Sequence, residues 1–254
     1  MVKVSMSKNN VFADFMNKRF SPIFFILGMV YFLSIILTTC LAESFWEVWP
    51  FACAGGVVIY PLSFAVGGLI GEVYSYTYAR FVMLLSAVFQ AIFAAYAILT
   101  VSLKPAPFFH GKPEFSFVFN NEFRYILFAV LGIFLAEMLN VFLLIKWKIK
   151  IRSSGYLFRA IICALISQLL LSVVVNTGAF LGKTGSIGDL VWLSLSNYTV
   201  KMTFGIIYIV LCAKIILPFI RKYEKTFFVD IRAKFNPFSL TLRDPYREDK
   251  GVEE

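Results

Sequence analysis

The chain has 254 residues, 59% of them hydrophobic and 15% charged, with a mean hydropathy of +0.78. Soluble domains are roughly 45–50% apolar and about 25% charged, so the composition excludes a soluble globular protein and predicts an all-α integral membrane protein. The net charge of +9 comes from short basic runs beside apolar segments, which is how membrane-protein loops look and argues against a nucleic-acid partner.

Residues 1–21 form a polar N-terminal segment with Lys3, Lys8, Lys18 and Arg19. No small-x-small cleavage site follows the first apolar run, which reads as an uncleaved span. A spanning helix needs about 20 apolar residues. Six stretches meet this, at 22–42, 48–71, 80–102, 123–145, 157–181 and 198–220. Together they make one transmembrane domain over 22–220, followed by a tail over 221–254. Two three-helix halves, spans one to three and four to six, are one arrangement this allows. Most of the 24 Lys and Arg fall in the N-terminal segment, around 146–159 and after residue 220. The positive-inside rule therefore predicts that both termini are cytoplasmic. Glu43, Trp46, Glu47 and Trp49 then lie in the first outer loop, as an interfacial aromatic belt.

Span two is interrupted by Pro61 and by Gly55, Gly56, Gly67, Gly68 and Gly71. Pro61, Ala65, Gly68 and Glu72 share one helical face. A small-residue face that ends in a carboxylate predicts either close helix packing or a broken helix lining a cavity. The outer loop Leu103–Glu122 carries Lys112 and the single histidine, His110, expected to be solvated. The segment Asp189–Asn197 reads as an interfacial stretch ahead of span six. The four cysteines sit in or beside apolar segments with no C-x-x-C spacing, so they are expected to be inert thiols.

No catalytic constellation is present: there is no H-E-x-x-H, no P-loop and no G-x-S-x-G. The chain therefore reads as a non-enzyme, with no cofactor or metal expected. Polar residues at membrane depth are costly and point to function. Glu137 and Asn140 share a face of span four. Glu137 lies roughly 20 Å from the outer end of that span, past the midplane of a core about 30 Å thick. Gln168 is mid-way along span five, Asn176 lies further out, and Lys201 begins span six. A carboxylate, amides and many aromatic rings suit a flat ligand that hydrogen-bonds along its edge and stacks on its faces.

The stretch from Pro61 to Arg80, with its G-x-x-x-E-V-Y core at Gly68–Tyr74, resembles the queuosine precursor transporters, also called vitamin uptake transporters. So do the E-x-x-N and basic run in AEMLNVFLLIKWKIK at Ala136–Lys150, Asn197-Tyr198-x-x-Lys201, and FNPFSL at Phe235–Leu240. The resemblance covers about residues 50–240. It implies a six-span carrier of the bacterial inner membrane that imports the queuosine precursors 7-cyano-7-deazaguanine and 7-aminomethyl-7-deazaguanine for queuosine salvage. It also implies roles for Glu72, Glu137, Asn140, Arg159, Gln168 and Lys201 in handling the substrate. The chain departs from the family at three positions where an acid is common: Gly68, Leu171 and Gly205. Alternative readings are a carrier of another nucleobase-like or vitamin-like molecule, a substrate-binding subunit of an ATP-driven importer, and a membrane scaffold. Span one is Phe/Ile/Leu-rich and lacks the small-residue face that docking to an importer would need.

Overall fold

The structure, a computed structural model, describes residues 21–41, 44–48, 51–151, 155–180 and 186–223. The expectations placed on residues 1–20, on Glu43 and Trp49, on the FNPFSL motif and on the tail beyond 223 lie outside these residues. Among the described residues, six helices are long and apolar enough to cross a membrane.

Helix α1 (Pro22–Cys40) starts where Ser21 Oγ accepts from the Ile23 N–H at 3.1 Å, with Pro22 in the first turn. Both features suit a helix start, because the first N–H groups have no partner within the helix. Its hydroxyls fold back on the helix: Ser34 donates to the Val30 carbonyl, Thr38 to Ser34 and Thr39 to Ile35, at 2.7–3.0 Å. That satisfies them without water.

A hairpin follows, β1 (Phe45–Val48) paired antiparallel with β2 (Phe51–Ala54), Phe45 opposite Ala54 and Val48 opposite Phe51. The sequence predicts that span two starts at 48; its first residues are strand instead. Hydropathy does not separate a short apolar strand from a helical turn. An open strand edge is costly in lipid, and this one is covered: Asn197 Oδ1 accepts from the Ala54 N–H at 3.0 Å.

A 3₁₀ turn (Gly55–Val57) leads into α2 (Tyr60–Tyr74). Pro61 sits in the first turn of α2, where it breaks nothing. The interruption expected inside span two lies ahead of the helix. Helix α2 is buried along almost its whole length and contacts all five other spans. Its glycines permit this. A methyl at Gly71 would lie 3.0 Å from Val141 Cγ1, and one at Gly67 would lie 3.1 Å from Met83 Cε. The packing reading of the G-x-x-x-G thus holds.

Ser75 alone joins α2 to α3 (Tyr76–Ser102), at φ 95° and ψ 165°. Helix α4 (Lys112–Ile151) has 40 residues and carries its span at Leu127–Lys150. Lys112, expected in a loop, is its first residue. Its Nζ donates to the Thr100 and Leu103 carbonyls at 3.1 and 2.9 Å and so caps α3.

Helix α5 (Tyr156–Phe180) precedes α6 (Ile187–Leu211), a π turn (Cys212–Ile216) and α7 (Leu217–Tyr223). The stretch 189–197 is therefore the start of a long helix that continues into span six. Ser186 caps it by accepting from the Asp189 N–H at 3.1 Å. This also moves Lys201 from the start of span six to the middle of α6.

Aliphatic and aromatic side chains such as Phe25, Met29 and Leu33, one helical face of α1, remain exposed on the bundle. That is the surface a lipid-embedded protein presents. The bundle has two distinct ends. One carries the hairpin; the other carries the start of α1, the α2–α3 joint, the end of α4 and the start of α5.

Candidate functional site

A small cavity lies below the hairpin, walled by parts of α1, the 3₁₀ turn, α2, α4, α5 and α6. Its polar lining comes from Thr38, Tyr60, Asn176, Asn197 and Lys201. Gly56 brings the 3₁₀ turn against α1: a methyl there would sit 2.6 Å from the Thr38 carbonyl oxygen. Asn197 reaches the cavity while its Oδ1 holds Ala54 of the hairpin. Asn176 is 2% exposed, and its Nδ2 has no partner. Lys201 is 9% exposed, and its Nζ stands 5.6 Å from the centroid of the Tyr60 ring, a cation–π contact. Among the described residues no carboxylate pairs with it.

Towards the other end of the bundle, Glu137 comes next. It is one helical turn past Ile133, which forms part of the cavity wall. Ser63 Oγ donates to its Oε1 at 2.7 Å, and the Tyr31 hydroxyl donates to its Oε2. Ser63 Oγ also lies 2.8 Å from the Tyr60 carbonyl, a second acceptor for the same hydrogen, which ties this group to the cavity wall.

The following layer gathers Asn140, Tyr156 and Gly68. A methyl at Gly68 would meet Tyr156 Oη at 3.6 Å and Asn140 Nδ2 at 3.9 Å. Asn140 Oδ1 and Tyr156 Oη are buried without partners. On α5, Gln168, Ser172 and Asn176 recur every four residues, so they share a face. All three are buried and each holds a polar atom with no partner.

The last layer is ionic. The Glu72 carboxylate accepts from Arg159 Nη2 at 3.2 and 3.4 Å, and Lys148 Nζ lies 3.8 Å from Glu72 Oε1. Lys148 also donates to the Glu72 carbonyl at 2.8 Å. It thereby caps α2, whose last carbonyls have no helical partner. Arg159 Nη1 donates to the Leu144 carbonyl at 3.0 Å. All three side chains are nearly inaccessible.

Of the residues singled out in the sequence, Lys201 lines the cavity, Glu137 lies just beyond it, and Glu72 joins Arg159 at the far end. Asn140 stands between those two acids, and Gln168 is about two turns along α5 from Asn176. Sequence reasoning missed Tyr31, Ser63 and Tyr60, because one aromatic or hydroxyl among many carries no positional signal. It placed Lys148 in a basic loop, although Lys148 belongs to the buried ion group. Two of the three family-acid positions fall on apolar packing: Leu171 is in the cavity wall, and a methyl at Gly205 would meet Pro61 Cβ at 3.5 Å. Cys53, Cys163 and Cys212 are buried free thiols, and Cys40 is exposed.

A family model described as "Putative vitamin uptake transporter" matches residues 54–215. No curated protein and no solved structure matches the chain. The matched segment contains α2 with every helix that packs around it except α1, and it takes in Glu72, Glu137, Asn140, Arg159, Gln168 and Lys201. With well over half of its length so matched, this multi-pass membrane protein belongs to the vitamin uptake transporter family.

Proposed function

We propose that this protein imports 7-deazaguanine precursors of queuosine, such as 7-cyano-7-deazaguanine, across a bacterial inner membrane. The observation that carries the reading is the cavity beside Lys201, Asn197 and Asn176 within a membrane-spanning bundle of this family. The choice of a deazaguanine over other vitamin-sized molecules rests on the family resemblance of the Gly68–Tyr74 and Ala136–Lys150 motifs.

Lys146, Lys150, Arg221 and Lys222 gather at one end, which we assign to the cytoplasm by the positive-inside rule. The hairpin and the cavity then face the outside. A base entering there stacks against Tyr60 and hydrogen-bonds to Asn176, Asn197 and Lys201. Glu137 is the next acceptor inward. Its oxygens hold the Tyr31 and Ser63 hydroxyls at rest and exchange them for the edge N–H groups of the base. The unpartnered atoms of Ser172, Gln168, Asn140 and Tyr156 mark the route onward, since buried polar groups without partners call for an occupant.

The test is a rescue. The protein is expressed in bacteria that neither make nor import queuosine precursor, and trace 7-cyano-7-deazaguanine is supplied. Queuosine in tRNA is then scored by retarded mobility on a boronate gel. Restored modification is the expected result. Unmodified tRNA, with the protein demonstrably in the membrane, would sink this choice of substrate.

A further inference from the structure

The cavity wall carries an ammonium, two amides and two hydroxyls. Lys201 contributes an ammonium, and Asn176 presents an Nδ2 with no partner. Asn197 has already committed its Oδ1 to the Ala54 N–H, so its NH₂ is what it can offer a ligand. The remaining walls are largely apolar, with Ile133, Leu171 and Val175. The buried acids elsewhere in the bundle are engaged: Glu137 by Tyr31 and Ser63, and Glu72 by Arg159 and Lys148.

Building on the substrate class above, we propose that Lys201 sorts bases by the charge of their substituent. It admits those whose substituent is an uncharged or anionic hydrogen-bond acceptor and rejects those that carry a cation. Three physical points support this. A buried ammonium that finds no carboxylate among the described residues gains most from a ligand that brings an acceptor. A second cation beside it is repelled through a medium of low dielectric, where charges interact far more strongly than in water. Such like-charge contact is a common device for excluding a wrong ligand of the right shape. The Tyr60 face contributes by holding Nζ at the cavity wall, which fixes where the charge meets the ligand.

Two deazaguanines of nearly equal size test this: the neutral 7-cyano compound and the cationic 7-aminomethyl compound. Their binding to the purified full-length protein is measured by titration calorimetry in lipid nanodiscs. The wild type is expected to favour the cyano base by about tenfold or more. Lys201→Met should bring the two affinities within about threefold, and Lys201→Arg should keep the preference. Lys201→Gln replaces the Met variant if that one does not survive purification. Equal binding of both bases by the wild type would overturn the charge filter and leave the substrate class standing. A preference that persists without the lysine would overturn the assignment to Lys201. Failure of the wild type to bind either base would remove both the filter and the substrate class.

Discussion

Two buried cationic regions of this bundle are built on opposite principles. At the basic end, Glu72 neutralises Arg159, lies beside Lys148, and returns a backbone carbonyl to that lysine. At the hairpin end, Lys201 has an aromatic face and, among the described residues, no carboxylate, beside an amide with a spare donor. Buried charges are tolerated when paired and costly when not. The first region is a fastening; the second is the one proposed above to receive a ligand. The fastening joins α2, α4 and α5; the second region lies among five helices and the hairpin.

The sharpest way to break the contrast is Glu72→Ala. It strands two buried cations and should cost about 3–5 kcal/mol, seen as loss of folded protein in detergent extracts by fluorescence-detected size exclusion. A fully stable Glu72→Ala variant would mean that the ion group is no fastening. A second variant probes the cavity wall. Gly56→Ala pushes a methyl against the Thr38 backbone, and overpacking of this kind costs roughly 1–3 kcal/mol. Its melting temperature should fall while Gly28→Ala, with open space around it, leaves it unchanged.

Glu137→Gln should abolish uptake at a stability cost of only about 1 kcal/mol, because one acceptor for the Tyr31 and Ser63 hydroxyls remains. Uptake and thermal melting of the same preparation separate the two effects; undiminished uptake would refute a transport role for Glu137. Lys201→Met should have the smallest effect on stability, near zero or slightly favourable, since it trades an unpaired buried charge for an apolar chain of similar length. A large loss of stability in that variant would show Lys201 to be as structural as Glu72.

Much of the fold is legible in the chain. Spans three and five were expected at 80–102 and 157–181, and the helices run Tyr76–Ser102 and Tyr156–Phe180. Long apolar runs declare themselves because the bilayer imposes a minimum length and a helical backbone. The hairpin escaped because ten residues of aromatic and small apolar character fit a strand as well as a helix. Lys201 was misplaced for a related reason. The apolar stretch before it was short enough to pass as interfacial, whereas the Ser186 cap makes it the first turns of α6.

The candidate site divides the same way. Glu72, Glu137, Asn140, Gln168 and Lys201 stand out in the sequence because polar groups are rare at membrane depth, and composition alone makes that visible. Which of them meet is a matter of three-dimensional distance between helices far apart in sequence. Glu72 and Arg159 are 87 residues apart, and Tyr31 and Glu137 are 106 apart. Helix length, burial of apolar surface and the cost of an unsatisfied backbone are local properties, so the sequence alone determined a six-span helical membrane protein. Only the tertiary structure decided that Glu72 is spoken for and that Lys201 is not, because pairing depends on how α2, α4, α5 and α6 pack.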